Sequence, residues 1–196
     1  TSVDVTTRTI VFERTPGVVA DKILLATGAV PIPLNVPGDD LPGVFTLRTR
    51  ADSRAIGQQA ADGRHAVVVG DGFIGMEVAA SLAERDCQVT LVWRNRLPMA
   101  NLFGDDVGQR LQRLHEDNGT RFRFQQEVRR FHGDAKLESV ELDDGSRLPA
   151  DLAVVGVGVR PNAEIVQMCP KNPDGSIDVD QYLRLNDHVY AAGDMA

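Results

Sequence analysis

Residues Val67 to Ala80 read VVVGDGFIGMEVAA and hold the residue types best placed to do chemistry in this chain. Gly70, Gly72 and Gly75 have the spacing Gly-x-Gly-x-x-Gly. An apolar run, Val67 to Val69, precedes them, and a helical pattern follows, with Met76, Ala79, Ala80 and Leu82 as candidates for its packed face. Strand, tight turn and helix start in that order make a cradle for a pyrophosphate. Gly70 permits the turn, Gly72 leaves room for the anion to approach the main chain, and Gly75 lets helix and strand pack closely. Phe73 and Ile74 complete the turn, and the first N–H groups of the helix point at the anion. The same spacing occurs in glycine-rich turns of unrelated α/β domains, but the flanking strand and helix favour dinucleotide binding.

The next strand, Gln88 to Trp93 (QVTLVW), ends where such a site selects its ligand. A carboxylate about 20 residues beyond the cradle binds the ribose 2′-hydroxyl of NAD, whereas nearby arginines suit the 2′-phosphate of NADP. Trp93 occupies that position and cannot accept the hydroxyl bonds, while Arg94 and Arg96 follow it. Guanidinium groups pair well with phosphate, and the alternative for both is a solvated strand end. Trp93 either stacks on the adenine or covers apolar surface.

The elements around these residues alternate. A helix is predicted over Asp52 to Ala61, the central strand at Val67, a helix from Gly75 to Arg85, and the strand Gln88 to Trp93. An amphipathic helix over Asp105 to Asn118 follows, with Val107, Leu111 and Leu114 as its stripe and Gly119 as its cap, then a strand over Arg121 to Gln126. Such β-α-β-α-β alternation predicts a doubly wound parallel, Rossmann-like α/β sheet. Short strands over Leu137 to Leu142, Arg147 to Leu148 and Leu152 to Val155, with Asp143-Asp144-Gly145 between the first two, predict a β-meander. Residues 1–25 read as an antiparallel meander feeding the strand Lys22 to Ala26. Prolines 31, 33, 37 and 42 exclude a helix or central strand over 29–43, which reads as a linker. A short helix is predicted over Glu164 to Met168, and Ile177, Val179, Tyr182-Leu183 and Val189 to Ala192 are strand-like.

Composition narrows the partners. The formal net charge of −7 argues against nucleic acid or an anionic membrane surface, since both need a basic face. No apolar run approaches the ~20 residues that span a bilayer. Cys87 and Cys169 are the only cysteines and form no C-x-x-C pair, so neither a redox disulfide nor a zinc site is signalled, and a reducing, cytoplasmic setting is expected. His65, His115, His132 and His188 lack metal-ligand spacing and read as surface or loop residues, and no metal is expected.

Four stretches together resemble the FAD-dependent pyridine nucleotide-disulfide oxidoreductases: ILLATGAVP at Ile23 to Pro31, the cradle through Glu77, AVVGVGVRPN at Ala153 to Asn162, and VYAAGD at Val189 to Asp194. Their order matches that family across nearly the whole chain. The Pro-rich link and LFGDDVGQRLQRLHEDN at Leu102 to Asn118 most resemble the branch without a redox disulfide. That branch holds ferredoxin, rubredoxin and Rieske-protein reductases, apoptosis-inducing-factor-like proteins and the flavin part of nitrite reductase. The resemblance implies hydride transfer from NAD(P)H to FAD and electron delivery to an iron–sulfur partner. In it the cofactors carry the chemistry and no acid–base triad is needed.

The resemblance also implies residue roles. Glu77 matches a glutamate near the nicotinamide and flavin edge; a helix N-terminus favours an acid there in any case. Arg94 matches a phosphate-binding arginine of glutathione reductase, favouring NADP(H), while Gly75, where NADP enzymes often carry alanine, leans to NAD(H). Gly156, Val157 and Gly158 match the turn at the nicotinamide end, Asp194 matches the acid that hydrogen-bonds the flavin ribityl chain, and Thr27 and Gly28 match the hinge between domains. The expected organisation is a partial FAD domain and linker over 1–43, an NAD(P)-binding domain over 44–158, and the FAD domain's return over 159–196. Alternatives are the NADH oxidase/peroxidase branch and a non-catalytic dinucleotide-binding module.

The family's second Gly-x-Gly-x-x-Gly, which holds FAD, does not occur in these residues, so the chain reads as a piece of a longer flavoprotein. The purified 196-residue chain should therefore carry little FAD. Flavin absorbance at one FAD per chain would overturn that expectation.

Overall fold

The computed structural model describes residues 1–167 and 169–196. It divides into two compact units, Thr1–Val30 with Val159–Ala196, and Pro31–Gly158.

The first unit opens with β1 (Ser2–Asp4), β2 (Thr9–Val11), β3 (Val18–Val19), β4 (Ile23–Leu25) and β5 (Ala29–Pro31). The second unit follows as β6 (Val44–Thr46), α1 (Arg50–Gln59), β7 (His65–Val69), α2 (Phe73–Ala83), β8 (Gln88–Trp93), α3 (Ala100–Phe103), α4 (Asp105–Asp117), β9 (Arg121–Phe124), β10 (Val128–His132), β11 (Ser139–Leu142), β12 (Arg147–Pro149) and β13 (Leu152–Val155). The chain returns to the first unit as β14 (Val159–Pro161), β15 (Val166–Gln167) and β16 (Val189–Ala191).

The second unit is built on a parallel sheet in the order β6-β13-β7-β8-β9. Ala66 to Val69 and Leu152 to Val155 are buried on both faces, so these strands read as unbroken apolar runs. Each such valine or leucine contributes roughly 1.5–3 kcal/mol of burial. Three consecutive steps, β6 to β7, β7 to β8 and β8 to β9, move in one direction across the sheet. Right-handed crossovers then put α1, α2 and α4 on one face. Accordingly Ile56, Met76, Ala79, Leu82 and Leu111 share a single core there with Val68 and Leu91. The return from β9 to β13 runs the other way and must use the opposite face. The antiparallel meander β10-β11-β12 makes that crossover, with Phe131, Leu137, Val140 and Leu148 packed on Val67 and Val69. The α/β fold with a parallel sheet and meander is as expected; the second face, however, is covered by strands rather than helices.

Several elements differ from expectation. Helix α1 starts earlier, at Arg50, because Thr49 caps it: the Asp52 N–H donates to Thr49 Oγ1 (3.2 Å) and the Thr49 N–H to Asp52 Oδ2 (2.7 Å). This reciprocal cap, worth about 1 kcal/mol, holds the Asp52 carboxyl below the usual carboxylate range. Helix α4 buries Gly108 and His115 and half-buries Leu111 between them, while Val107 and Leu114 are 42% and 56% exposed. Both triplets have helical spacing. The glycine face wins because a Cβ at Gly108 would lie 2.8 Å from the Pro98 carbonyl oxygen, so only that face approaches the 97–100 segment. The expected linker over 29–43 begins with β5, and residues 32–43 are packed coil, with Leu34, Val36 and Leu41 against the meander core.

In the first unit β1, β2 and β3 form the expected antiparallel meander, and β4 pairs in parallel with β16. No helix forms over 164–167, where a turn leads into β15, paired in parallel with β1; Met168, the end of the predicted helix, lies outside the described residues. The strand-like residues between Ile177 and Leu183 make only an isolated bridge, Lys171 with Ile177, and Leu183 has φ 61°.

The histidines also need correction. His115 is buried on α4 against Phe122, and His65 and His132 lie in strands. Burial pushes the His115 pKa down. Its folded pKa then lies below its unfolded value, so stability is full above the unfolded value, near 6.5, and falls as pH drops below it. His115→Leu should flatten the loss of thermal stability between pH 7 and pH 5. An unchanged pH profile would refute this.

Candidate functional site

The cradle sits where the sheet changes direction. Strand β7 continues to β8 on one side and lies beside β13 on the other, so a crevice opens at the carboxyl ends between them. Val69, Val92 and Val155 are in register there. The turn is held by the Gly70 N–H donating to Val92 O (3.0 Å) and the Gly156 N–H donating to Val69 O (2.7 Å).

The three glycines are not equivalent. Gly70 has φ 116°, and a Cβ there would lie 2.3 Å from Gly156 O. A Cβ at Gly75 would lie 2.1 Å from Gly70 O. Backbone therefore touches backbone at both positions. Gly72, the N-cap of α2, has ordinary φ −72° and no side-chain cap, and a Cβ there would meet nothing within 4 Å.

A cleft of about 480 Å³ opens beside the turn. Gly70 and Asp71 line it from the turn, Trp93 and Arg94 from the end of β8, Val157 from beyond β13, and Gln126 to Arg129 from the β9–β10 corner. Ile32 to Leu34 and Val36 line it as well. The structure thus brings Gly70, Trp93, Arg94 and Val157 to one cleft. It separates the two arginines: Arg94 is exposed on the cleft wall, whereas Arg96 is paired with Asp105 at the start of α4. Trp93 is only 4% exposed, with its ring edge-on to Phe124 in the core beneath the helices. It presents no open face for stacking, so packing rather than an adenine contact accounts for it.

Asp71, Gln126, Glu127 and Arg129 were missed by sequence reasoning. Asp71 accepts a hydrogen bond from Asn95 Nδ2 (3.3 Å). The corner is clamped to the β11–β12 turn, with the Glu127 N–H donating to Asp143 Oδ1 (3.0 Å) and the Asp143 N–H to Glu127 O (2.9 Å). Two adjacent arginines broke the alternation that would have revealed β10.

Glu77 is exposed on α2 and does not line this cleft. It borders an apolar depression with Phe73, Met76 and Phe103, and the Phe73 and Phe103 rings meet edge-on at 6.0 Å. Ile74 is half-buried against the helix-side core. Gly158 has φ 129°. In the first unit the Thr27 hydroxyl donates to Asn162 O (2.6 Å) and the Asn162 N–H donates to Gly28 O (2.8 Å), clasping the turn after β4 to the strand that returns. Asp194 is exposed after Gly193, whose φ is 79°.

Burial pushes the Cys87 and Cys169 thiols up, away from the thiolate form that reacts. Among the described residues no three His, Cys, Asp or Glu groups are placed to hold a metal.

The glycine geometry separates folding from binding. Gly75→Ala should destabilise the chain by roughly 1–3 kcal/mol, because backbone must move. Gly72→Ala should unfold at the parent temperature yet lose nucleotide affinity. Equal thermal shifts for the two variants would contradict this assignment.

Comparison with known proteins agrees with the geometry. Apoptosis-inducing factor 3 of Homo sapiens is 36% identical over 98% of this chain, which spans 32% of that protein. Rhodocoxin reductase of Rhodococcus erythropolis is 36% identical over 90% of the chain and 42% of its own length. The crystal structure of the ferredoxin reductase for the CYP199A2 system from Rhodopseudomonas palustris superposes with a TM-score of 0.92 at 34% identity, covering 100% of this chain and 49% of that one. The chain therefore spans about a third to a half of these relatives. The sequence profile of the pyridine nucleotide-disulphide oxidoreductases matches residues 1–196, and the chain belongs to that family.

Proposed function

We propose that this chain is the nicotinamide-dinucleotide-binding portion of an FAD-dependent oxidoreductase that takes hydride from NAD(P)H and passes electrons to an iron–sulfur protein or domain. The observation that carries this reading is the open space at Gly72, at an uncapped helix start, between two glycines whose Cβ positions are occupied by backbone. A pyrophosphate fits there, with charge and hydrogen bonding supplied by the α2 N–H groups. The adenosine half then runs toward Arg94 at the end of β8, and the nicotinamide half toward Gly156, Val157 and Gly158 across the switch point.

FAD, when bound in the whole protein, supplies the hydride acceptor. This chain's own residues bind and orient the donor. Glu77, exposed on the first turns of α2, would act at the nicotinamide edge. Thr27, Gly28 and Asp194 would belong to the flavin side, with Asp194 toward the ribityl chain and the Thr27–Asn162 clasp fixing the turn. The names of the relatives support the electron acceptor, since a ferredoxin reductase serves an iron–sulfur protein. A stand-alone sensing module is the rival, and the Thr27-Gly28 turn and Asp194 motif speak against it because such a module has no flavin to contact.

Titration calorimetry of the purified chain with NADH and NADPH should show one site for at least one of them. Arg94→Glu should weaken NADPH about tenfold or more. Absence of binding by either nucleotide would defeat the proposal.

A further inference from the structure

Strand β10 carries an irregularity in its pairing with β11. Val128 pairs with Leu142, and the next pair is Arg130 with Glu141, so Arg129 is an extra residue with no partner on β11. Val128 and Phe131 are both buried, with two exposed residues between them instead of one. A β-bulge of this kind turns a side chain out of the ladder and is common beside binding sites. Here it places Arg129 on the wall of the cleft, while its neighbour Arg130 does not line the cleft. Among the described residues Arg129 makes no ion pair, in contrast to Arg64, Arg96, Arg147, Arg160 and Arg184.

Topology gives this wall a place along the ligand. The β9–β10 corner follows the strand beside β8, on the side of β7 away from β13. Arg129 therefore shares the adenosine end of the cleft with Arg94, not the end marked by Val157. The corner is held by two bonds to Asp143, the Glu127 N–H donating to its carboxylate and its own N–H donating to Glu127 O, so the bulge is presented on a fixed support. Two carboxylates also line the cleft. Asp71 is engaged by the Asn95 amide, and Glu127 is the one that would oppose an anion at this end.

We infer that Arg129, turned into the cleft by the β10 bulge, binds the 2′-phosphate of NADPH together with Arg94 and makes the site selective for NADPH over NADH. The inference rests on the cleft being the nicotinamide-dinucleotide site. Two guanidinium groups from separate strands clamp a dianion, which a ribose hydroxyl cannot replace.

The test measures binding of NADPH, NADH, adenosine 2′,5′-bisphosphate and 5′-AMP to the 196-residue chain and its variants by calorimetry. The parent should bind NADPH and the bisphosphate more tightly than NADH and 5′-AMP. Arg129→Gln should weaken NADPH and the bisphosphate about tenfold while leaving NADH and 5′-AMP unchanged. Glu127→Gln should strengthen the bisphosphate, and Arg130→Gln should change nothing. Thermal unfolding of Arg129→Gln at the parent temperature checks that the exposed substitution leaves the fold intact. A parent that prefers NADH, or an Arg129→Gln variant that loses all four ligands equally or none, overturns the inference. If no nucleotide binds the parent, the dinucleotide reading itself has failed, which is a distinct result.

Discussion

The structure depends on one close approach of three backbones. Gly70, Gly75 and Gly156 meet at the carboxyl edge of the sheet with no room for a Cβ at Gly70 or Gly75. That approach brings the start of α2 down onto the turn and sets the end of β13 against it. It also leaves Gly72 as the position that faces open space. Close packing and open space are thus divided between glycines that look alike in the sequence.

Crossover handedness decides what surrounds this point. Three steps in one direction place the helices on one face of the sheet. The single step back must use the other face, and the meander that makes it carries the β9–β10 corner to the cleft. The cleft wall formed by that corner is therefore a consequence of chain reversal, not of the glycine turn. The same reversal packs the Pro-rich segment against the meander: the Phe131 N–H donates to Pro37 O at 2.9 Å and the Leu137 N–H donates to Pro42 O at 2.9 Å. Prolines lack donors but keep their carbonyls, so a stretch barred from helix still takes part in the packing.

Charge is distributed with equal economy. The chain is acidic overall, yet the cleft carries two arginines outside any ion pair among the described residues, while Arg96, two positions from Arg94, is paired with Asp105. A net charge of −7 thus says little about the local field in the cleft. What matters is which guanidinium groups already have a carboxylate.

The sequence by itself determined the periodic features. The strand Gln88 to Trp93, the glycine turn, the helix from Asp105 and the final strand at Val189 were legible, because local patterning of apolar residues and glycine specifies them. Features that depend on contacts between distant residues were not. Trp93 could either stack on a ligand or cover apolar surface, and Arg94 and Arg96 looked alike, but the tertiary packing took the Trp93 ring into the core and left Arg94 on the cleft wall. Val107 and Gly108 offered two faces of one helix, and the approach to Pro98 selected the glycine. Strand β10 was hidden because a bulge breaks the two-residue period on which strand recognition rests. Periodicity is a property of neighbours along the chain. Which arginine stays open to a ligand is settled by strands that meet only after folding.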